Sequence, residues 1–193
     1  MKSESSEIEY PITSLIKQRR SKRSFSIKEV EIEIINSLFE AARWAPSSMN
    51  EQPWTYMYAT RDQGNLWGKL FNALSEGNRI WVKDAPLLVL SLARKNFERN
   101  NKENTTSQYD LGAANAFLSL QATEMGLNVH QMGGFDARLV RQDLKIPDDY
   151  EIGVIMAIGY PGDPDQLPEN LKQREVGPRF RKTQNKFVKN ESF

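Results

Sequence analysis

The chain has 193 residues, of which 39% are hydrophobic and 26% charged, and its formal net charge is +1. This length fits one domain with a substantial core, and the balanced charge gives no general attraction to nucleic acids or membranes. Cysteine is absent, which excludes disulfides, thiolate catalysis and cysteine-bound metal clusters. No secretory leader is evident, and no apolar run reaches the roughly 20 residues of a membrane span. We therefore expect a cytoplasmic protein without nucleic-acid, membrane or metal partners.

Two helices and a strand are predicted in the first third of the chain. A short helix is expected over 12–18, and it leads into the basic run R-R-S-K-R-S-F at 19–25. Ser26 and Glu29 match a capping box, and a wide apolar stripe predicts a helix directly after it. The aromatic run 54–60 then predicts a strand.

The middle of the chain alternates between helical and strand patterns. The predicted elements are a helix at 66–75, a strand at 86–92, a helix at 109–125, a strand at 127–131, a helix at 136–144 and a strand at 152–158. Gly77 and Asn78 are interpreted as a helix break, and Asp136 as a helix N-cap. This order predicts an α+β protein with one sheet between helical layers, whose strand directions stay open.

The last part of the chain, 163–193, is polar and rich in charged residues. Its low apolar content leaves it no evident place in a single core, so it is expected to wrap a partner subunit. Phe187 and Val188 are a candidate short strand within it.

The stretch A-P-S-S-M-N-E-Q-P-W at 45–54 is more rigid and more polar than a simple connection needs. Its two prolines restrict the backbone, and its serines and amides offer short hydrogen-bonding groups to a planar polar ligand. Trp44 and Trp54 are expected to bury apolar surface at its two ends. The alternative is an ordinary helix stop and turn before a strand.

Two basic clusters lie more than 150 residues apart in the sequence. The first comprises Arg19, Arg20, Ser21 and Arg23, and the second comprises Arg179, Arg181 and Lys182. Guanidinium forks with a hydroxyl suit bidentate phosphate binding, although the spacing does not show that the clusters converge. The alternatives are a solvated basic turn and a nucleic-acid patch, and the net charge and missing motifs disfavour the patch.

Side chains for acid–base catalysis are scarce. His130 is the single histidine and is interpreted as a packed strand residue, while the acidic residues show no metal-type spacing. Gly133 and Gly134 follow a predicted strand and either let backbone N–H groups approach a ligand or form a simple turn. No Rossmann or Walker motif is present. The combination suits a protein whose chemistry comes from a phosphorylated cofactor.

Five segments, in order, resemble the FMN-dependent nitroreductases. R-R-S-K-R-S-F resembles the family's N-terminal phosphate motif, and A-P-S-S-M-N-E-Q-P-W resembles its P-S-x-x-N-x-Q-P-W signature. G-N-R-I-W-V-K-D-A-P resembles the segment with a flavin-contacting Asn, and H-Q-M-G-G-F-D resembles the loop over the flavin ring. R-F-R-K resembles the C-terminal basic pair. The F-V that follows resembles the strand given to the neighbouring subunit. The matches span 12–188.

The resemblance implies one nitroreductase-like domain over 1–193, with an N-terminal tail at 1–10 and the partner-wrapping extension at 163–193. The implied fold is a three-layer α-β-α sandwich whose mostly antiparallel central sheet is completed by a C-terminal strand from the partner. The implied assembly is a homodimer with FMN at the subunit interface.

The resemblance also implies a role for each segment at the flavin. The phosphate and ribityl chain would be held by Arg19, Arg20, Ser21, Arg179 and Arg181, and Arg23 would lie near the pyrimidine end of the ring. The other subunit would contribute Pro46, Ser47, Ser48 and Asn50. Asn78 would contact the ring edge, and one face of the ring would be lined by Gln131, Met132, Gly133 and Gly134. The backbone N–H groups of Gly134 and Gly133 would point at flavin N5, and no catalytic side chain is implied.

The implied activity is a ping-pong reaction. NADH or NADPH reduces FMN and leaves, and a nitroaromatic, quinone or related small molecule then takes the electrons. Two alternatives stay open: a flavin-binding protein of the same fold without nicotinamide-driven turnover, and a basic-loop binding module without flavin.

Two departures from the family pattern bear on the substrate. Many members have an acidic residue where this chain has Gly133, and some have a Lys where it has Trp81. The nicotinamide preference and the acceptor therefore stay open. A tyrosine–glutamate–lysine lid of the deiodinase type is not evident, which disfavours that branch and the flavin-cleaving branch.

Overall fold

The computed structural model describes residues 4–192. Its helices are α1 (Ser14–Gln18), α2 (Ile32–Arg43), α3 (Gly64–Ala73), α4 (Glu76–Val82), α5 (Ser107–Glu124), α6 (Ala137–Asp143) and α7 (Glu169–Val176). Its strands are β1 (Glu4–Ser5), β2 (Trp54–Thr60), β3 (Leu87–Arg94), β4 (Asn128–Met132), β5 (Tyr150–Gly159) and β6 (Arg181–Lys182). Short 3-10 turns lie at Ser48–Asn50, Pro164–Gln166 and Gln184–Lys186.

The central sheet has four strands in the order β2-β3-β5-β4, and every neighbouring pair is antiparallel. Leu88 of β3 lies opposite Ala59 of β2 on one side and Ala157 of β5 on the other. Seven of the eight β3 residues are buried, as the continuous apolar run predicts for an inner strand. A separate two-stranded ribbon pairs β1 with β6 and so joins the two ends of the described chain.

Helices cover both faces of the sheet. On one face, Leu87 and Val89 pack with apolar residues of α2 and α5. On the other, Leu88 and Leu90 pack with α3, α4 and α6. Complete burial of such a leucine contributes about 2 kcal/mol, so the alternation along β3 stabilises both layers. The predicted α+β class and three-layer sandwich are confirmed.

The predicted elements are present with shifted ends. β2 matches the predicted strand 54–60, and Asp136 caps α6 by accepting hydrogen bonds from the N–H groups of Arg138 and Leu139. The capping box is wrong, because Ser26 closes a turn instead: its Oγ accepts from the Lys28 N–H at 3.2 Å. Helix α2 begins only at Ile32.

The predicted helix break at Gly77 and Asn78 is also wrong, because both residues lie inside α4. The break falls at Leu74 and Ser75, whose backbones are extended. There the Ser75 N–H donates to the Gly134 carbonyl at 2.9 Å. A tertiary hydrogen bond, rather than a local glycine, separates the two helices.

Part of the polar C-terminal segment belongs to the chain's own core. Leu167 and Leu171 pack against the cluster beneath α3, α4 and α6, and Glu175 is buried. The expectation that this segment has no place in a single globule is therefore wrong for its first half. Phe187 and Val188 form no strand with the described residues, so the partner strand stays a prediction.

No helix within residues 4–192 combines the length and the apolar character that crossing a bilayer requires. Nor do three or more His, Asp or Glu side chains of this range gather as a metal site would need.

Candidate functional site

The two basic clusters meet in space. The Arg179 guanidinium donates to the carbonyl oxygen of Arg19 at 2.6 Å and also to that of Lys17. The Arg20 guanidinium donates to the carbonyl oxygen of Gly177 at 2.7 Å. The convergence that the spacing left open is therefore present within one chain.

The cluster is electrostatically unbalanced. Burial and the nearby Arg181 lower the pKa of Arg19. Burial lowers the pKa of Arg179 as well, and the positive charges of Arg20, Arg181 and Arg19 lower it further. Among residues 4–192, no carboxylate forms an ion pair with any of these four arginines. Such a concentration of unpaired positive charge attracts a multiply charged anion.

Arg19, Arg179 and Arg181 line a cavity of about 520 Å³, which the N-terminal segment around Ser5 also borders. Ser21 lies beside the cluster, where its hydroxyl oxygen accepts from the Arg19 guanidinium at 3.4 Å. All the residues expected at a phosphate therefore lie in one region, with room for a ligand between them.

Arg23 lies apart from the four clustered arginines. Its guanidinium carbon lies 5.9 Å from the centre of the Trp81 ring, which also contacts the tilted His130 ring at a centroid distance of 4.5 Å. His130 Nδ1 is 2.9 Å from the carbonyl oxygen of Lys22, and burial lowers its pKa. Trp81 is only 3% exposed. Trp81 and His130 therefore act as packing residues behind the basic run 19–25, which we call the arginine loop, and Trp81 does not face a ligand.

Asn78 and the two glycines lie together. The Asn78 side-chain amide donates to the Gly134 carbonyl at 3.0 Å. A Cβ on Gly134 would lie 2.9 Å from Asn78 Nδ2, so a side chain there would displace the Asn78 amide, whereas a Cβ on Gly133 would meet nothing within 4 Å. Next to them, Gln131 is exposed and donates to Ser119 Oγ at 3.2 Å, while the Met132 side chain is buried in the core.

The loop 45–54 has a strained backbone. Met49, Asn50 and Gln52 have φ angles of 55°, 56° and 52°. For residues with a Cβ, a left-handed backbone costs roughly 1 kcal/mol or more each. The buried Asp110 carboxylate of α5 clamps this loop by accepting from the Ser48 N–H at 3.1 Å, and Ser47 Oγ accepts from the Gln52 N–H at 3.0 Å. Such strain and clamping are typical of a binding loop.

The structure does not bring this loop to the arginines of the same chain. Within the described residues its hydrogen bonds to distant segments include those to Asp110, to the Glu98 N–H through the Glu51 carboxylate, and to the Arg94 N–H through the Pro53 carbonyl, and none goes to the clustered arginines. Pro46 and Asn50 are exposed. Trp44 is 70% exposed, so its own chain does not bury it, and burial of Trp44 stays a prediction.

Sequence reasoning missed Asp110 and Glu175. Asp110 reads as an ordinary acid in the first turn of a helix, and Glu175 lies in a segment interpreted as a polar tail. Their low exposures, 3% and 2%, are what distinguish them, and no local pattern signals this burial.

Fold and site together define a three-layer α+β protein in which arginines from both ends of the chain converge and an Asn–Gly pair is in close contact. Residues 16–79 and 69–160 match the sequence profile of the Nitroreductase family. The chain belongs to the nitroreductase family.

The names of similar proteins give several different activities. An iodotyrosine deiodinase from Thermotoga neapolitana is 26% identical over 178 residues, which cover 81% of this chain and 92% of that protein. A protein from Xanthomonas oryzae, whose name suggests an NADH dehydrogenase or NAD(P)H nitroreductase, is 25% identical to this chain. The match covers 81% of this chain and 87% of that protein. A crystal structure of an oxidoreductase containing FMN superposes with a TM-score of 0.91 at 33% identity, covering 97% of this chain and 95% of the other.

Proposed function

We propose that this protein is an FMN-dependent NAD(P)H oxidoreductase that reduces nitroaromatics, quinones or related small molecules by a ping-pong reaction. The observation that carries the proposal is the convergence of Arg19 and Arg20 with Arg179 and Arg181, none of which forms an ion pair with a carboxylate of the described residues. The similar oxidoreductase containing FMN supports flavin as the ligand. When bound, FMN would supply the redox chemistry between nicotinamide and acceptor.

The residues of this chain fit the parts of FMN. The clustered arginines and Ser21 would hold the phosphate and ribityl chain through charge-assisted hydrogen bonds. Arg23, with its positive charge away from the cluster, would stabilise negative charge on the pyrimidine end of the ring. The Gly133 and Gly134 backbone N–H groups would approach the ring without interference from a Cβ.

Asn78 has a defined orientation. Its Nδ2 donates to the Gly134 carbonyl, which leaves its Oδ1 to accept from a ring-edge N–H of the ligand. The open space at Gly133, together with its exposure, leaves a roomy site for the nicotinamide and the acceptor.

The site would be completed by a second copy of the chain. Pro46, Ser47, Ser48 and Asn50 do not reach the arginines of their own chain, so they would contact the flavin of the partner in a homodimer. Exposed apolar residues beside this loop support that assembly: Met49 is 67% exposed and Tyr109 is 81% exposed. In the homodimer, residues 187–188 would add a strand to the partner's sheet.

The visible spectrum of the purified protein tests the proposal. We expect a flavin absorption band, retained or acquired on addition of FMN, that bleaches under anaerobic NADH or NADPH and recovers with a nitroaromatic or quinone. A band that never bleaches would favour the flavin-binding alternative. The absence of a band after FMN addition would contradict both flavin functions and favour the basic-loop module.

Reductive dehalogenation is the second candidate, because the deiodinase of Thermotoga neapolitana is similar over 81% of this chain. Presenting the reduced protein with a nitrophenol and an iodophenol in parallel separates the two activities. Nitro reduction without iodide release supports the oxidoreductase proposed above, and iodide release at a comparable rate supports the dehalogenase.

A further inference from the structure

Glu175 of α7 is a buried carboxylate bonded to the arginine loop. It is 2% exposed and accepts from the Arg23 N–H at 2.5 Å, from the Ser24 N–H at 3.1 Å and from the Ser24 hydroxyl. Burying a carboxylate costs free energy unless hydrogen bonds satisfy it. Here backbone N–H groups of the arginine loop provide those bonds, so the loop and α7 dock onto each other through one side chain.

Two further hydrogen bonds, one in the same direction and one in the opposite direction, complete the connection. Arg20 donates to the Gly177 carbonyl just beyond α7, and Arg179 donates to the Arg19 carbonyl. Residues 17–24 and 175–181 are therefore interlocked, with each segment donating to the other. All four clustered arginines lie within these two segments.

Such an interlock is needed because the cluster opposes its own assembly. Arg19 and Arg181 are close enough that the charge of one lowers the pKa of the other. The like charges lie on segments from opposite ends of the chain, and repulsion favours their separation. Hydrogen bonds that do not involve the ligand must hold the segments together before an anion arrives.

We propose that Glu175 is a positioning residue: it holds the C-terminal arginines against the N-terminal ones, so that affinity for the phosphate end of the ligand depends on a carboxylate that does not touch it. This inference rests on the FMN-binding function proposed above. It assigns to α7 a part in building the site within its own chain.

The test compares FMN with riboflavin, which lacks the phosphate. In flavin-stripped full-length protein, Glu175→Gln keeps the size of the side chain but removes its charge and one of its two acceptor oxygens, which weakens the interlock. We expect FMN affinity to fall by roughly tenfold or more, as for loss of hydrogen bonds to a charged group, while riboflavin affinity stays within about twofold. Glu169→Gln is the matched control, since it makes the same change at an exposed position of α7 and should leave both affinities unchanged.

Four results would overturn the inference. One is a Glu175→Gln protein that binds FMN as tightly as wild type, and another is an equal loss of FMN and riboflavin, which indicates general damage. If Glu175→Gln does not fold, Ser24→Ala removes one donor to the carboxylate and should weaken FMN binding severalfold with riboflavin unchanged; unchanged FMN affinity would contradict the proposal. Failure of wild type to bind either flavin would overturn the proposed function and this inference with it.

Discussion

Four positive charges lie close together in this protein, those of Arg19, Arg20, Arg179 and Arg181. Their mutual repulsion lowers the free energy of unfolding. Burial and mutual repulsion both disfavour the charged form, as the lowered pKa values of Arg19 and Arg179 show. Proteins retain such clusters where binding an anion offsets the repulsion. We therefore expect the cluster to serve ligand binding more than stability.

The double substitution Arg19→Ala with Arg181→Ala separates these two contributions. We expect FMN binding to weaken by on the order of several kcal/mol, since charge-assisted hydrogen bonds to the phosphate are lost. The free energy of unfolding should stay the same or rise, because repulsion is relieved. Calorimetric FMN titration and urea denaturation measure the two effects.

The control for this pair removes the same charge elsewhere. Arg99→Ala with Lys102→Ala lies on an exposed loop and changes the net charge equally. If the Arg19→Ala, Arg181→Ala protein binds FMN as tightly as this control does, the phosphate site is assigned wrongly.

His130 predicts a dependence of stability on pH. Burial lowers its pKa in the folded state, so the unfolded chain binds a proton at higher pH than the folded chain does. The contribution of neutral His130 to the free energy of unfolding is therefore fully present above the unfolded-state pKa of about 6.5. It is lost as the pH falls through the lower pKa of the folded state. We expect the free energy of unfolding to decrease from pH 7 to pH 5.

His130→Asn tests this dependence, because an amide N–H donates to the Lys22 carbonyl without titrating. The variant should show a flatter change of unfolding free energy over the same interval in urea denaturation. Since His130 is the single histidine, equal slopes in wild type and variant would assign the effect to carboxylates instead.

At the scale of elements, α5 connects the sheet to the candidate site. Asn115 in its middle accepts from the Tyr56 hydroxyl at 3.0 Å and donates to Ser91 Oγ at 3.3 Å. Asp110 near its start clamps the loop 45–54, and Ser119 contacts Gln131. One helix therefore orients residues of both segments that are expected at the flavin.

Asn115→Ala should destabilise the protein by about 2–3 kcal/mol, because it leaves the buried Tyr56 hydroxyl without its acceptor and creates a small void. Urea denaturation measures this loss. Asn36→Ala, on the exposed side of α2, is the control and should change stability by about 0.5 kcal/mol or less. A loss at Asn115 as small as that at Asn36 would show that the network adds little.

At the scale of the whole molecule, the chain exposes apolar residues that a soluble monomer usually covers. Phe117 of α5 is 41% exposed and borders a depression with Leu15 of α1 and Ala41 of α2, and Ile16 is 48% exposed. The loop 45–54 projects away from its own arginines. Both observations favour a second copy of the chain on this side.

Phe117→Glu should shift the protein from dimer to monomer in sedimentation velocity experiments, because a charge would be buried at the interface. The monomer should also lose bound FMN, since the partner's loop is absent. Ile27→Glu introduces the same charge at a more exposed apolar position outside this depression and should leave the dimer intact. A Phe117→Glu dimer with full flavin content would place the interface elsewhere.

Several elements were predictable because their signals are local. The aromatic run of β2, the apolar run of β3 and the Asp136 cap each depend on neighbouring residues, and the structure places all three as expected. The start of α2 was not predictable in this way: a tertiary hydrogen bond from the Tyr160 hydroxyl to Glu31 lies at its N-cap, and the preceding turn uses the expected cap residue.

The sequence by itself determined which chemical groups are available: arginines, amides and glycines in five ordered segments, with a single histidine and no cysteine. Tertiary structure alone decided that the arginines from both ends meet, that Gly134 touches Asn78, and that Asp110 and Glu175 are buried beneath the loops they hold. The physical reason is that periodicity reports whether a residue is buried on its own helix or strand. Contacts between distant segments depend on how the layers pack, and here on the docking of α7 against the arginine loop.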